Sequence, residues 1–178
     1  YWDKPAEEMM VEQDEQGNSG LLQVYGNWKY RINDKLTFVG GLHYLNNLLN
    51  ETHSIEPRAG LKWHFTPTQS LNFGFGIHSR MESLPTFFVQ TMDEHGIIQQ
   101  PNFWLDFPKS RQYVIGYQNF FTPNLMMKIE AYYQDLYDIA VENDPNSSFS
   151  MLNAVSWYSD RELINNGSGY NYGLELTL

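Results

Sequence analysis

The chain has 178 residues, 42% hydrophobic, 16% aromatic and 18% charged, with a formal net charge of -10 and no cysteine. The lack of cysteine excludes a disulfide scaffold, a thiolate metal site and a cysteine nucleophile, and the acidic balance argues against nucleic acid held on a basic face. No stretch approaches the roughly 20 consecutive apolar residues of a spanning helix, which excludes a helical membrane protein but not a transmembrane barrel.

Residues 1–19 are acidic (Asp3, Glu7, Glu8, Glu12, Asp14, Glu15) and aperiodic, and are expected to form a loop remnant. From Leu22 a period of two begins: Leu22, Val24, Gly26, Trp28, Tyr30 and Ile32 share one face, opposite Gln23, Tyr25, Asn27, Lys29 and Arg31. After turn residues Asn33-Asp34-Lys35, a second run sets Leu36, Phe38, Leu42 and Tyr44 against Thr37, Val39 and His43. The third alternates Ile55, Pro57, Ala59, Leu61, Trp63 and Phe65 with Glu56, Arg58, Lys62 and His64, and its proline predicts a bulge or an early strand position. Leu71, Phe73, Phe75 and Ile77 make the fourth, opposite Asn72, His78 and Arg80. A long irregular stretch is expected over 81–109. Tyr113, Ile115 and Tyr117 then mark a fifth run, and Leu125, Met127, Ile129, Ala131 and Tyr133 a sixth, opposite Lys128, Glu130 and Gln134. A second long loop is expected over 141–169, before Tyr170, Tyr172, Leu174 and Leu176 alternate with Asn171, Gly173 and Glu175.

Seven runs of this length exceed the 5 to 6 residues typical of globular strands and match the 9 to 11 that cross a bilayer at a tilt. Tight turns at 33–35, 67–69 and 123–124 alternate with longer links at 47–53, 81–109 and 141–169. In an up-and-down meander this puts every tight turn at one end and every long loop at the other, as in outer-membrane barrels. Aromatics on the apolar face gather near the strand ends: Trp28, Tyr30, Phe38, Trp63, Phe65 and Phe121 towards the tight turns, Tyr44, Tyr113, Tyr133 and Tyr170 towards the long loops. Two aromatic belts around an aliphatic band suit two membrane interfaces. The same alternation turned inside out describes a soluble lipocalin-like barrel, which Gly26-Asn27-Trp28 weakly supports, and a passive porin-like barrel is a third reading.

Ser54-Ile55-Glu56-Pro57-Arg58-Ala59-Gly60-Leu61-Lys62-Trp63, the run Leu71 to Arg80, and Gln112-Tyr113-Val114-Ile115-Gly116-Tyr117-Gln118 with Ile129 to Tyr137 resemble the barrel region of TonB-dependent outer-membrane receptors of the Bacteroidota type. The resemblance covers most of residues 20–178. It implies an all-β, antiparallel up-and-down barrel segment, about seven strands of a 22-stranded barrel, with long extracellular loops at 81–109 and 141–169. It further implies contact with outer-membrane lipid, uptake of a small-molecule or oligomeric nutrient (siderophore, vitamin, glycan or peptide), and energy from TonB passed through a plug domain. No plug, TonB-contacting segment or terminal strand is recognisable, and both ends read as cuts in a longer chain.

No catalytic constellation emerges. None of the five histidines has HExxH spacing, and neither GxSxG nor a P-loop is present. Glu56 and Glu130 beside Arg58 and Lys128 read as charge pairs and not as a catalytic carboxylate pair, so neither enzyme activity, a metal nor a cofactor is expected. Asn50-Glu51-Thr52, Asn146-Ser147-Ser148 and Asn166-Gly167-Ser168 read as chance matches to the glycosylation pattern. The polar residues nearest the loop end, His43, Glu56, Arg58, His78, Arg80, Gln134 and Asn171, are the expected ligand contacts, joined by the loop aromatics Trp104 and Trp157.

Overall fold

The computed structural model describes residues 19–92, 94–154 and 158–178. In chain order its elements are β1 (Leu21–Arg31), β2 (Leu36–Asn47), β3 (His53–His64), β4 (Gln69–Ser79), helix α1 (Leu84–Phe87), β5 (Thr91–Met92), β6 (Ile98–Gln99), a 3-10 turn (Pro101–Trp104), β7 (Lys109–Thr122), β8 (Leu125–Glu142) and β9 (Leu163–Thr177). Seven of the strands form one sheet in the order β1-β2-β3-β4-β7-β8-β9, every neighbour antiparallel, while β5 and β6 pair as a separate hairpin. This is the meander that the alternating runs predict.

The register explains why the alternation is so regular. Leu61 faces Phe38 and Phe73, Ile115 faces Phe73 and Ala131, and Ala131 faces Leu174. Directly opposed residues lie on the same side of a sheet, so apolar positions join into one face across all seven strands. Aromatic contacts run along its margins: Trp63 with Phe65 and Phe65 with Tyr117 near the tight turns, Phe75 with Tyr113 and Tyr113 with Tyr133 nearer the loops. Trp28 covers the wall at Gly40, where an added Cβ would fall 2.5 Å from its Cζ2. A large ring thereby shields a strand glycine.

Two local departures have physical causes. Pro57 sits fifth in β3 and the β2 pairing passes through it unshifted, but the ladder to β4 begins only at Arg58. A residue without N–H is tolerated where pairing stops, so the early-position expectation holds and no bulge forms against β2. In β8 the register shifts between Leu136 and Ile139, around Asp138 at φ 55, a left-handed conformation that Asp accepts better than most residues. The extra residue breaks the alternation, and β8 continues beyond it to Glu142 while β9 starts at Leu163. The expected 141–169 loop is therefore shorter, 143–162. Nor is 81–109 structureless, since it holds α1, the hairpin and the 3-10 turn.

The buried core lies at the long-loop end, where Phe87, Leu105, Ala140, Met151 and Leu163 cluster. It covers the polar face of the sheet. Leu163 and Glu56 are 2% and 1% exposed, whereas Ile164 and Ile55, their neighbours on the opposite face, are 37% and 59% exposed. The apolar face thus has no core over it. That is the arrangement of a wall with lipid outside and a polar lumen inside, and the reverse of a lipocalin-like barrel.

Candidate functional site

On the polar face, side chains two residues apart stack in rows across the strands. His43 faces Glu56 directly. Its Nδ1 donates to Glu56 Oε2 at 2.9 Å, and Arg58 Nη2 donates to the same oxygen at 3.2 Å. The other oxygen, Oε1, accepts the backbone N–H of Ser79 at 2.8 Å. The carboxylate thus occupies the gap where the β3–β4 ladder stops above Arg58, and takes an N–H that no strand carbonyl receives there. A buried carboxylate held by two cationic or cation-forming groups and an amide is well satisfied, and it fixes the positions of both partners. Tyr25 lies edge-on to His43, with ring centroids 6.5 Å apart. His78 reaches over Gly76, where a Cβ would meet its Nε2 at 2.9 Å and Arg58 Cγ at 3.6 Å. His43, Glu56, Arg58 and His78 are therefore one cluster spanning β2 to β4.

Gln134 and Asn171 face each other on β8 and β9, and Asn171 Nδ2 donates to Gln134 Oε1 at 3.0 Å. A cleft of about 240 Å³ connects the two groups, lined among others by His78, Arg80, Ser110, Gln134 and Leu136. Arg80, just beyond β4, is largely exposed with Glu82 Oε2 3.9 Å from Nη2. Burial pushes the Glu82 carboxyl above its ordinary range, and Arg80 offsets this in part. Trp104 ends the 3-10 turn, 73% exposed and set edge-on against Phe103. Trp157 lies outside the described residues. Among the described residues no group of three or more His, Asp or Glu side chains is placed to hold a metal ion.

Sequence reading missed the device that roofs this cluster. Three asparagines tie residues 101–108 across the polar face. Asn50 Nδ2 donates to the carbonyls of Phe103 and Leu105, both at 2.9 Å. Asn102 Nδ2 donates to Arg161 O at 2.8 Å, and its Oδ1 accepts Leu163 N–H at 2.7 Å. Asn165 accepts Asp106 N–H at 2.8 Å and donates to Asp138 O at 2.8 Å. Lys109 Nζ then bridges Asp106 and Asp138 at 2.8 and 3.0 Å, closing the loop onto the bulge. Asn50 is consumed by these bonds and 4% exposed, consistent with reading its glycosylation pattern as chance. Only the abundance of Asn in polar segments hinted at such clamps.

An open antiparallel sheet with an apolar outer face, an ion-paired inner face and folded loops at one end defines a wall of a transmembrane β-barrel. The model of the family described as "TonB dependent receptor-like, beta-barrel" matches residues 3–178, and the chain belongs to that family. It is accordingly a protein of the Gram-negative outer membrane. Among solved structures it is similar to "The FrpB iron transporter from Neisseria meningitidis (F3-3 variant)", with a TM-score of 0.58 and 17% identity over 89% of this chain. The chain spans 23% of the length of that transporter, and the likeness is one of fold. No curated protein matches it.

Proposed function

We propose that this chain forms part of the wall and the outer mouth of a receptor that captures a scarce nutrient and imports it with energy from TonB. Among the described residues β1 and β9 do not pair, and an open edge in hydrocarbon would leave backbone groups unsatisfied. Further strands then complete the barrel around residues 20–178, and a plug domain elsewhere in the complete receptor relays the TonB pull; the loop expected over residues 1–19 lies, but for Ser19, outside the described residues. The long loops between β4 and β7 and between β8 and β9 face the outside.

The observation that carries this reading is the His43–Glu56–Arg58–His78 cluster, set on the lumenal face beneath a clamped loop. Glu56 is neutralised from within, so the cluster presents Arg58 and His78 to the lumen as hydrogen-bond donors beside Arg80, with Gln134 and Asn171 across the cleft; the exposed Trp104 stands on the clamped loop. Such groups orient a polar ligand and move no covalent bond, which is why a binding role and not an enzymatic one is proposed. Siderophore, vitamin, glycan and peptide are all compatible with it.

The test uses cells carrying the complete receptor, grown with limiting iron, cobalamin, a single oligosaccharide or a peptide nitrogen source, with and without functional TonB. A TonB-dependent growth advantage in one medium is expected, and Arg58→Ala or His78→Ala should reduce it at unchanged barrel assembly. No receptor-dependent advantage in any medium, or one that survives loss of TonB, would overturn the proposal.

A further inference from the structure

Lower on the same inner wall, β7, β8 and β9 carry a second arrangement that the ligand residues named above enter only at its edge. Gln112 faces Gln134, which faces Asn171; Val114 faces Tyr132, which faces Gly173; Gly116 faces Glu130, which faces Glu175. Three rows result, about 7 Å apart along the strands: amides, then an aliphatic and aromatic floor, then carboxylates. Tyr132 Oη, Cε1 and Cζ lie 2.6 to 2.7 Å from where a Cβ at Gly173 would be, so the ring leans along the wall towards β9 instead of standing into the lumen. It remains 37% exposed. A cleft of about 310 Å³ over this grid is lined by Gln112, Val114, Glu130, Tyr132, Gln134 and Glu175, with Tyr133 also at its edge.

The chemistry of the three rows selects a ligand. The Asn171 to Gln134 hydrogen bond uses one polar atom of each amide, leaving Gln134 Nε2 to donate and Asn171 Oδ1 to accept. Glu130 is paired with Lys128, while Glu175 stands directly opposite Glu130, a like-charge juxtaposition that disfavours an anionic ligand. Planar acceptors on one side, mixed donors and acceptors on the other and a ring floor between them match a pyranose, whose hydroxyls point outward around an apolar C–H face. We infer that this grid is a subsite for a neutral oligosaccharide. The inference rests on the receptor reading above and narrows its nutrient to a glycan.

The experiment is isothermal titration of the complete receptor in detergent with maltohexaose, xylohexaose and mannohexaose, and with trilysine as a cationic probe. Saturable binding of at least one hexasaccharide is expected. Tyr132→Ala should weaken it about tenfold or more, the loss of an aromatic face, whereas Tyr132→Trp and the outward-facing Tyr113→Ala, on β7 and away from the cleft, should leave it within about threefold. Because Tyr132 rests on Gly173, heat-modifiable electrophoretic migration checks assembly, and Glu175→Gln and Gln112→Ala, which remove no ring, should each weaken binding as well. No hexasaccharide binding, binding indifferent to Tyr132→Ala, Glu175→Gln and Gln112→Ala, or binding of trilysine alone would overturn the subsite. A receptor with a TonB-dependent advantage on iron or cobalamin that binds no hexasaccharide would sink the glycan inference and leave the receptor reading standing.

Discussion

Replacing Asn102 with alanine isolates the loop clamp from the barrel beneath it. The side chain is fully buried, and its two hydrogen bonds, to Arg161 O at 2.8 Å and from Leu163 N–H at 2.7 Å, both reach backbone of the segment entering β9. Leu163 is itself buried at 2% exposure, so Asn102→Ala orphans its amide at a cost of about 1–3 kcal/mol. With a smaller contribution from the Arg161 carbonyl, on a residue that is exposed, the loop should open more easily by about 2–3 kcal/mol. At 1.4 kcal/mol per tenfold, that is about 30- to 140-fold faster hydrogen exchange at Leu163 if exchange proceeds by local opening. Mass-spectrometric exchange on the complete receptor in detergent reads this in peptides covering 100–106 and 161–168, with peptides of β3 and β4 as the unchanged control. Asn102→Asp keeps an oxygen for Leu163 N–H and should lose less than alanine. Exchange at 161–168 changed by under threefold, or a loss of protection spread equally through β3 and β4, would refute the idea of a locally clamped roof.

Other outcomes follow from single side chains. Leu61, on the outer face between Phe38 and Phe73, should not tolerate lysine: about 2–4 kcal/mol for a cation near the bilayer midplane should lower the assembled, heat-modifiable fraction, whereas Lys62→Ala on the lumenal face should leave it unchanged; equal tolerance of both would contradict the assignment of faces. Gly40→Val should displace the Trp28 indole, since even a Cβ falls 2.5 Å from Cζ2, and should alter the tryptophan emission of the complete receptor relative to a Trp28→Phe background, in which no change is expected. The raised carboxyl of Glu82 favours its protonated form in the folded loop. Its stabilising contribution is therefore complete below the unfolded pKa, near the ordinary 4.5, and is lost as pH rises through the higher folded value. Limited proteolysis within 81–109 should accelerate from pH 4.5 towards neutrality in the wild type, and Glu82→Gln should flatten that profile; an unchanged profile would show that another group governs the loop.

How much of this was legible in the residues depends on whether a feature repeats. The strands, their faces and the alternation of tight and long connections all follow from a period of two, because a side chain's face is fixed by its parity and cross-strand partners share it. Leu61 and Lys62 could be assigned to opposite faces for that reason alone. The same parity placed His43, Glu56 and His78 on one face, though not the carboxylate's bond to Ser79 N–H, which depends on the ladder stopping beside Pro57. Parity fails at Asp138, where one left-handed residue resets the count and hides the upper part of β8 and β9 from a periodic reading.

The roof was illegible for a different reason. Its bonds run from asparagine side chains to backbone groups 27 to 61 residues away, and a backbone carbonyl or N–H carries no residue identity for a sequence to display. A loop of nearly thirty residues looks irregular in sequence because its order is set by such pairings and by a small apolar core of Phe87, Leu105 and Leu163, neither of which has a period. The functional consequence is mechanical. On the receptor reading proposed above, a mouth whose loop is held at Asn50, Asn102, Asn165 and Lys109 would spend little free energy ordering this loop when a ligand binds, and the movement that admits a ligand would fall to segments these clamps do not hold.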